Sequence, residues 1–237
     1  MKIIHCCLSC FYIDDYGYQE NALVRQNVNA GHDVTVIAST EALDQNGRIV
    51  YLDAGEYMGG DGAKVVRLDY FKMPNVLARK LRINPGLMSL LESVQPDVII
   101  FHGLCGWELV TVARYKKQNS SVTLYADSHE DLHNSGTTFI SKYFLHLMYY
   151  RSIIQYALPY LDKVLCITKE TMDFCKDMYR IPNDKVEFYP LGGHVQSDID
   201  YNYIRQEIRG THEVSETDIL FLQSGKFDNR KKLKESI

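Results

Sequence analysis

Nowhere in this sequence do about 18 apolar residues run together without charge, so no transmembrane helix is expected. The opening Met1-Lys-Ile-Ile-His-Cys-Cys-Leu8 is too short an apolar run for a secretory signal, and Asp14 and Asp15 follow soon after. Positive charge is not in excess. A formal net charge of -4 leaves no global electrostatic case for nucleic acid, and none is expected as a partner. Internal repeats and low-complexity tracts are missing. The cysteines at 6, 7, 10, 105, 166 and 175 include one Cys7-Leu-Ser-Cys10, but there is no second pair to complete a metal site. They read as small core residues of a protein in a reducing cytoplasm.

What is present is an ordinary globular composition, 46% hydrophobic and 24% charged, over 237 residues. That length allows one large domain, or one domain and part of another. The dominant pattern is a short apolar run, a turn and a helical segment, repeated. Strands are expected at Lys2–Leu8, Asp33–Ala38, Lys64–Leu68, Val98–Phe101, Val122–Ala126, Lys163–Ile167 and Val186–Tyr189. Helices are expected at Gly17–Ala30, from Asn84-Pro85 to Val94, and at Trp107–Lys117, Thr138–Leu158 and Lys169–Tyr179. Five glycines between Gly47 and Gly62 mark an excursion with a small hairpin. Alternation of this kind implies an α/β fold, a Rossmann-like doubly wound parallel sheet covered on both faces. Such sheets bind ligands beyond the carboxyl ends of their strands. Near Gly192-Gly193 the texture changes. The expected division is a first domain over 1–195, then a linker and the opening βα unit of a second domain over 196–237, with a strand at Asp218–Gln223.

One string invites a metal reading. His129-Glu130-Asp131-Leu132-His133 spells the H-E-x-x-H of a zinc peptidase. That chemistry needs both imidazoles on one face of a helix. Here turn formers box the string in, Asp127-Ser128 before it and Asn134-Ser135-Gly136 after it. Three readings stand: a zinc site through His129, Glu130 and His133, a polar cap of the following helix, or a ligand site at a strand's carboxyl end.

The order of several short motifs resembles the retaining glycosyltransferases of family 4, which have the two-domain GT-B fold. Ala30-Gly-His-Asp-Val-Thr-Val36 is similar to that family's opening, and Gln95-Pro-Asp-Val-Ile-Ile-Phe-His-Gly103 to a later strand. Tyr125–Asp131, Lys163–Thr168 and the Tyr189-Pro-Leu-Gly-Gly193 turn follow in the family's order. Ser224-Gly-Lys-Phe-Asp-Asn-Arg-Lys-Lys232 resembles its donor loop.

The resemblance implies transfer of a sugar from a nucleotide-diphosphate sugar to a saccharide or lipid-linked acceptor, in cell-surface polysaccharide or glycan synthesis. No metal or other cofactor is expected. It implies that His129 contacts the donor sugar at the reaction centre. Gly17, Tyr18, Gly225, Lys226 and Lys231 would meet the donor diphosphate, and Glu20, His102 and Gly103 would lie on the acceptor side. Tyr18 stands where the family often has a second glycine. The family's E-x7-E element does not follow Lys232, so a truncated or split enzyme with little activity alone is expected. The alternative from another class is a non-catalytic half that binds a partner chain or an acceptor. Finally, Tyr70–Arg82 gathers Lys72, Arg79, Lys80 and Arg82 among Phe71, Val76 and Leu77. This composition suits peripheral contact with anionic lipid at the inner face of the membrane.

Overall fold

β1 (Lys2–Cys7) is the centre from which the structure, a computed structural model, is built. The structure describes residues 1–44, 47–132, 135–192 and 197–222, less the side chains of residues 75, 76, 79, 198 and 199. Side chains of β1 alternate between two faces, as a strand requires. Ile4 and Cys6 join one apolar cluster, while Cys7 joins another with Val24, Val34, Val36 and Val65. The strand is therefore buried on both sides, which explains its unbroken apolar run.

α1 (Gln19–Asn29) follows, and Gly31 with φ 78° turns the chain into β2 (Asp33–Ser39). The glycine-bearing excursion holds β3 (Glu41–Leu43), β4 (Ile49–Tyr51) and β5 (Gly55–Met58) before β6 (Lys64–Leu68). β3 and β4 form a separate antiparallel pair, and β5 lies antiparallel on β6. Next come α2 (Asn75–Leu81), α3 (Leu87–Val94), β7 (Val98–Phe101), α4 (Glu108–Gln118) and β8 (Thr123–Ser128). A π-helical segment, Ser141–Tyr150, runs into α5 (Arg151–Ala157), then β9 (Lys163–Cys166), α6 (Lys169–Tyr179) and β10 (Val186–Phe188).

The main sheet has eight strands in the order β10-β9-β8-β7-β1-β2-β6-β5, parallel throughout except β5. Chain order runs outward to one side from β1 through β2 and β6, then returns to β7 on the other side. The reversal places a crevice beyond the carboxyl ends of β1 and β7. The larger core lies with β7, β8 and the helices α3 to α6. Phe101, Leu109 and Leu124 are wholly buried there, each contributing about 2 kcal/mol. All six cysteines are free, and five are buried in the core as expected, with Cys10 half-buried. No helix among the described residues is long and apolar enough to cross a membrane.

Four details depart from the sequence reading. The helix expected from Asn84-Pro85 begins only at Leu87, because Asn84 is drawn into the interior. Its side chain donates to the carbonyls of Leu68 and Asp69, and its N–H donates to the Glu108 carboxylate at 2.7 Å. The long helix over Thr138–Leu158 has wider π turns in its first half, and the adjacent Tyr149 and Tyr150 hydroxyls donate to the carbonyls of Leu81 and Lys80. β8 continues through Asp127 and Ser128, which read as turn formers. Their polar groups are satisfied within the fold, so strand pairing with Leu165 and Cys166 prevails over local preference. The strand expected at Asp218–Gln223 is not formed over residues 218–222, and Gln223 lies outside the described residues. Ile219 to Leu222 are exposed, and the described residues of that unit offer no second strand to pair with.

The chain divides into two units, Met1–Gly192 and Gly193–Ile237. The described part of the second contains α7 (Asp198–Thr211), capped by Ser197, whose hydroxyl accepts from the Asp200 N–H at 3.1 Å.

Candidate functional site

Three loops leave the carboxyl ends of β1, β7 and β8 and meet at the crevice. They enclose a cavity of about 390 Å³ whose walls include Ser9, Tyr18, Glu20, Gly103, His129 and Glu130. Each arrives for a local reason. Tyr18 is the extended residue before α1, which places Glu20 in the first helical turn. Gly103 follows β7 with φ 88°, a conformation that suits glycine. Its N–H donates to Asp127 Oδ1 at 2.7 Å, and a Cβ there would meet the Ser9 Cβ at 3.0 Å. His129 is the first residue after β8.

The loop from β1 is strapped down by two polar clusters. Arg67, on β6 and almost fully enclosed, donates to the carbonyls of Ser39 and Tyr12 at 2.9 and 3.1 Å and to the Tyr57 hydroxyl. Asp61 accepts from the Tyr12 hydroxyl at 2.8 Å and from the Asn21 amide, with Arg25 at 3.3 Å.

Behind the cavity a line of polar side chains crosses the interior. Asn27 Nδ2 lies 2.9 Å from His5 Nε2, His5 Nδ1 3.0 Å from His102 Nε2, and His102 Nδ1 2.5 Å from Asp127 Oδ2. One set of tautomers satisfies every link. The Asn27 amide donates to His5, His5 Nδ1–H donates to His102, and His102 Nδ1–H donates to the carboxylate. His5 is then neutral. Burial, with the neighbouring His102 adding to it, lowers the His5 pKa to about 3, in keeping with that state. Burial alone would raise the Asp127 pKa. His102 and then His129 outweigh it and hold the carboxyl far below the usual range.

His129 Nε2 lies 3.6 Å from Asp127 Oδ1 and 4.0 Å from Glu20 Oε1. Burial pulls its pKa down, but Asp127, then Glu20 and Glu130, lift it to about 9. The result is an imidazolium at neutral pH with 35% of its side chain exposed, enough surface to touch a ligand. Glu130 accepts from the Ser128 hydroxyl at 2.5 Å and from the His129 N–H.

His129, Glu20, Tyr18 and Gly103 are thus brought together. Gly17 is exposed in open space beside them, without the positive φ that would demand glycine. His102 is wholly enclosed, so it has no surface for an acceptor and acts by holding Asp127. Gly225, Lys226 and Lys231 lie outside the described residues. The metal string is not helical at His129–Asp131, His133 lies outside the described residues, and no metal-holding cluster occurs among the described ones. Of the basic surface residues, Lys72 and Lys80 are exposed, and the Arg79 side chain lies outside the description. Arg82 is corrected: its guanidinium turns inward and donates to the carbonyls of Ser9 and Cys105. Sequence reasoning missed His5, Asn27 and Asp127. The one signal was a histidine in the middle of an apolar strand.

A family model described as Glycosyltransferase Family 4 matches residues 21–194. Among solved structures, sucrose-phosphate synthase from Thermosynechococcus elongatus is similar at 10% identity and a TM-score of 0.54. The match covers 86% of this chain and 52% of that one. The catalytic domain of starch synthase IV from Arabidopsis thaliana, bound to ADP and acarbose, matches at 12% identity and a TM-score of 0.49, covering 92% and 60%. A glycosyltransferase from Rickettsia africae matches at 8% identity and a TM-score of 0.49, covering 91% and 50%. The chain therefore spans about half the length of these structures. No curated protein matches the sequence.

Proposed function

The chain belongs to glycosyltransferase family 4, with the Rossmann-like sheet of a GT-B half, and on that premise we propose the reaction it serves. A sugar passes from a nucleotide-diphosphate sugar to a saccharide or lipid-linked acceptor with retention. The observation that carries this reading is the His129 imidazolium, held by Asp127 at the carboxyl end of β8 and facing the crevice cavity. A fixed cation there meets the donor's reacting end as negative charge grows on the leaving diphosphate.

In the proposed step the bond between the sugar's anomeric carbon and the diphosphate oxygen breaks. A bond from that carbon to the acceptor oxygen forms on the same face. The acceptor proton passes to the departing phosphate oxygen, so no separate protein base is required. Gly225, Lys226 and Lys231 take up the leaving charge, and backbone at Gly17 and Tyr18 lines the approach. Tyr18, Glu20 and Gly103 shape the wall on which the acceptor rests. No metal or cofactor enters this step.

Exposed Lys72 and Lys80, with Phe71 and Leu77 each about half exposed, support peripheral contact with anionic lipid at the cytoplasmic face. That placement suits a lipid-linked acceptor and the synthesis of surface polysaccharide.

The test is nucleotide-sugar turnover by the protein carrying this chain, beside His129→Ala and Lys226→Ala variants. Both variants are expected to lose at least 100-fold in kcat. Turnover unchanged in both overturns the assignment.

A further inference from the structure

A second cavity, about 460 Å³ in volume, shares the walls Ser9 and Glu130 with the His129 cavity. Its other walls come from the end of α2, with Lys80 and Arg82, and from Thr138 and the π-helical segment beyond it. The lining is mostly polar, unlike that of the neighbouring cavity.

Two features set its chemistry. The first is an excess of positive charge, Lys80 and Arg82 against the single wall carboxylate Glu130. Arg82 adopts a left-handed backbone conformation, φ 53°, that ends α2 and turns its side chain inward. Two carbonyls, those of Ser9 and Cys105, hold its Nη1. Among the described residues no carboxylate pairs with Arg82 or Lys80. Glu130, which accepts from the Ser128 hydroxyl and the His129 N–H, acts on Arg82 electrostatically without forming an ion pair. His146, kept neutral by burial, does not alter the balance. The second feature is an unmatched hydroxyl. Ser9 Oγ lies on the shared wall, buried and with no hydrogen-bond partner, in a residue only 8% exposed. It fits because residue 106 is glycine; a Cβ there would collide with the hydroxyl.

We infer that this cavity is the acceptor subsite and that it takes an acceptor carrying a phosphate group. The phosphate sits on Lys80 and Arg82 beside the Thr138 hydroxyl, and the acceptor's own hydroxyl passes Ser9 and Glu130 into the His129 cavity. This inference rests on the sugar-transfer reading. A phosphate monoester carries about two charges near neutral pH and three acceptor oxygens, so it draws more from Lys80 and Arg82 than a carboxylate, which carries one charge. Planar Arg82 fits paired phosphate oxygens, and Lys80 supplies a mobile point charge at the exposed rim.

The experiment measures binding to the 237-residue chain by calorimetry, with glucose, glucuronate, inorganic phosphate and glucose 6-phosphate as probes. In parallel, it measures retention on phosphatidylcholine vesicles with and without a polyprenyl phosphate. Lys80→Ala leaves an exposed position and is expected to fold. Arg82→Lys keeps a cation but loses the fork. The expected result is at least tenfold tighter binding of glucose 6-phosphate than of glucose or glucuronate, weakened at least tenfold in both variants. Retention that needs the polyprenyl phosphate, is not reproduced by phosphatidylglycerol at equal surface charge and is lost in Arg82→Lys, without binding of the soluble sugar phosphate, also supports the inference and assigns the phosphate to a lipid-linked acceptor. Glucose binding as tight as glucose 6-phosphate overturns it. So does phosphate binding that is indifferent to both variants. Turnover of the donor is recorded on the same proteins. Turnover lost in His129→Ala, with phosphate binding indifferent to Lys80→Ala, removes the phosphate subsite alone. Variant-sensitive phosphate binding with no turnover in the protein carrying this chain keeps the subsite and removes the transfer reading.

Discussion

His102 Nδ1 lies 2.5 Å from Asp127 Oδ2, and neither group reaches the surface. This contact fixes everything in front of it. The carboxylate can only accept, so His102 must donate through Nδ1. With His102 neutral, its other nitrogen accepts from His5, and His5 in turn from Asn27. Donors aimed at Asp127 hold it as the carboxylate. That charge keeps His129 protonated where the crevice opens. The imidazolium is thus a property of a buried chain spanning α1, β1, β7 and β8.

Replacing the carboxylate tests this directly. In Asp127→Asn the shape survives but one acceptor is lost, so either the Gly103 N–H or the His102 Nδ1–H faces an amide N–H. Leaving such a donor unmet costs about 2 kcal/mol. The sharper readout is titration. His129 is expected to fall from about 9 toward the ordinary 6.5, followed by the NMR shifts of its ring protons. The sign is fixed by the raised folded value. The stabilisation by Asp127 is complete below about 6.5 and is lost as pH rises through about 9, and the variant lacks this alkaline loss. A His129 that still titrates near 9 in the variant contradicts the arrangement.

His5 governs the acid side. Its folded pKa is depressed to about 3, so between pH 6.5 and 3 the unfolded chain binds a proton that the native one refuses. Stability therefore falls as pH drops through this window, by roughly 2 kcal/mol at pH 5. His5→Gln keeps hydrogen-bonding capacity and cannot titrate. Urea unfolding at pH 7 and pH 5 is expected to show a smaller acid loss in the variant, by about that amount. Equal losses in both proteins count against a neutral, buried His5.

The fold was legible because its signals are local. Apolar runs such as Val98–Phe101 and the Gly31 turn mark strands and helix ends whatever lies around them. The grouping of His129, Glu20, Tyr18 and Gly103 was also legible, since they end strands or start helices at one sheet edge. The polar chain behind them was not. His5 and Asp127 are 122 positions apart in sequence, and only pairing of β1, β7 and β8 aligns them. Arg82 failed for the same reason. Its neighbours Lys80 and Leu77 face outward, and nothing nearby in sequence signals that the left-handed turn sends this one cation inward. The Asp218 strand failed differently. Its apolar run is real, but a strand exists only with a partner.

Gly103 is the tightest backbone point in the site. Gly103→Ala must hold φ near 88° and push a methyl against Ser9 at 3.0 Å. Together these cost about 2 kcal/mol. The displacement also moves the N–H that Asp127 accepts, so lowered thermal stability is expected. Gly17→Ala is the control. With open space around it and no positive φ, it is expected to change stability by less than about 0.5 kcal/mol. Equal effects at the two glycines refute the distinction.

Arg67 is where the β1 loop is fastened to the sheet. It is almost fully enclosed, with the carbonyls of Ser39 and Tyr12, the Tyr57 hydroxyl and the Asp14 carboxylate around it. Arg67→Met keeps the aliphatic stem but leaves two interior carbonyls without donors, at a cost of about 3 kcal/mol. For a unit of this size that lowers Tm by roughly 6 to 12 °C. The loop that carries Tyr18 and Glu20 into the cavity loses its anchor at Tyr12, so amide hydrogen exchange over residues 12–20 is expected to quicken more than in β8. Tyr57→Phe removes one acceptor at the rim and is expected to cost less than about 1 kcal/mol. Exchange that quickens evenly through the sheet in Arg67→Met shows a general loss of stability instead, and removes Arg67 as the fastening of the site.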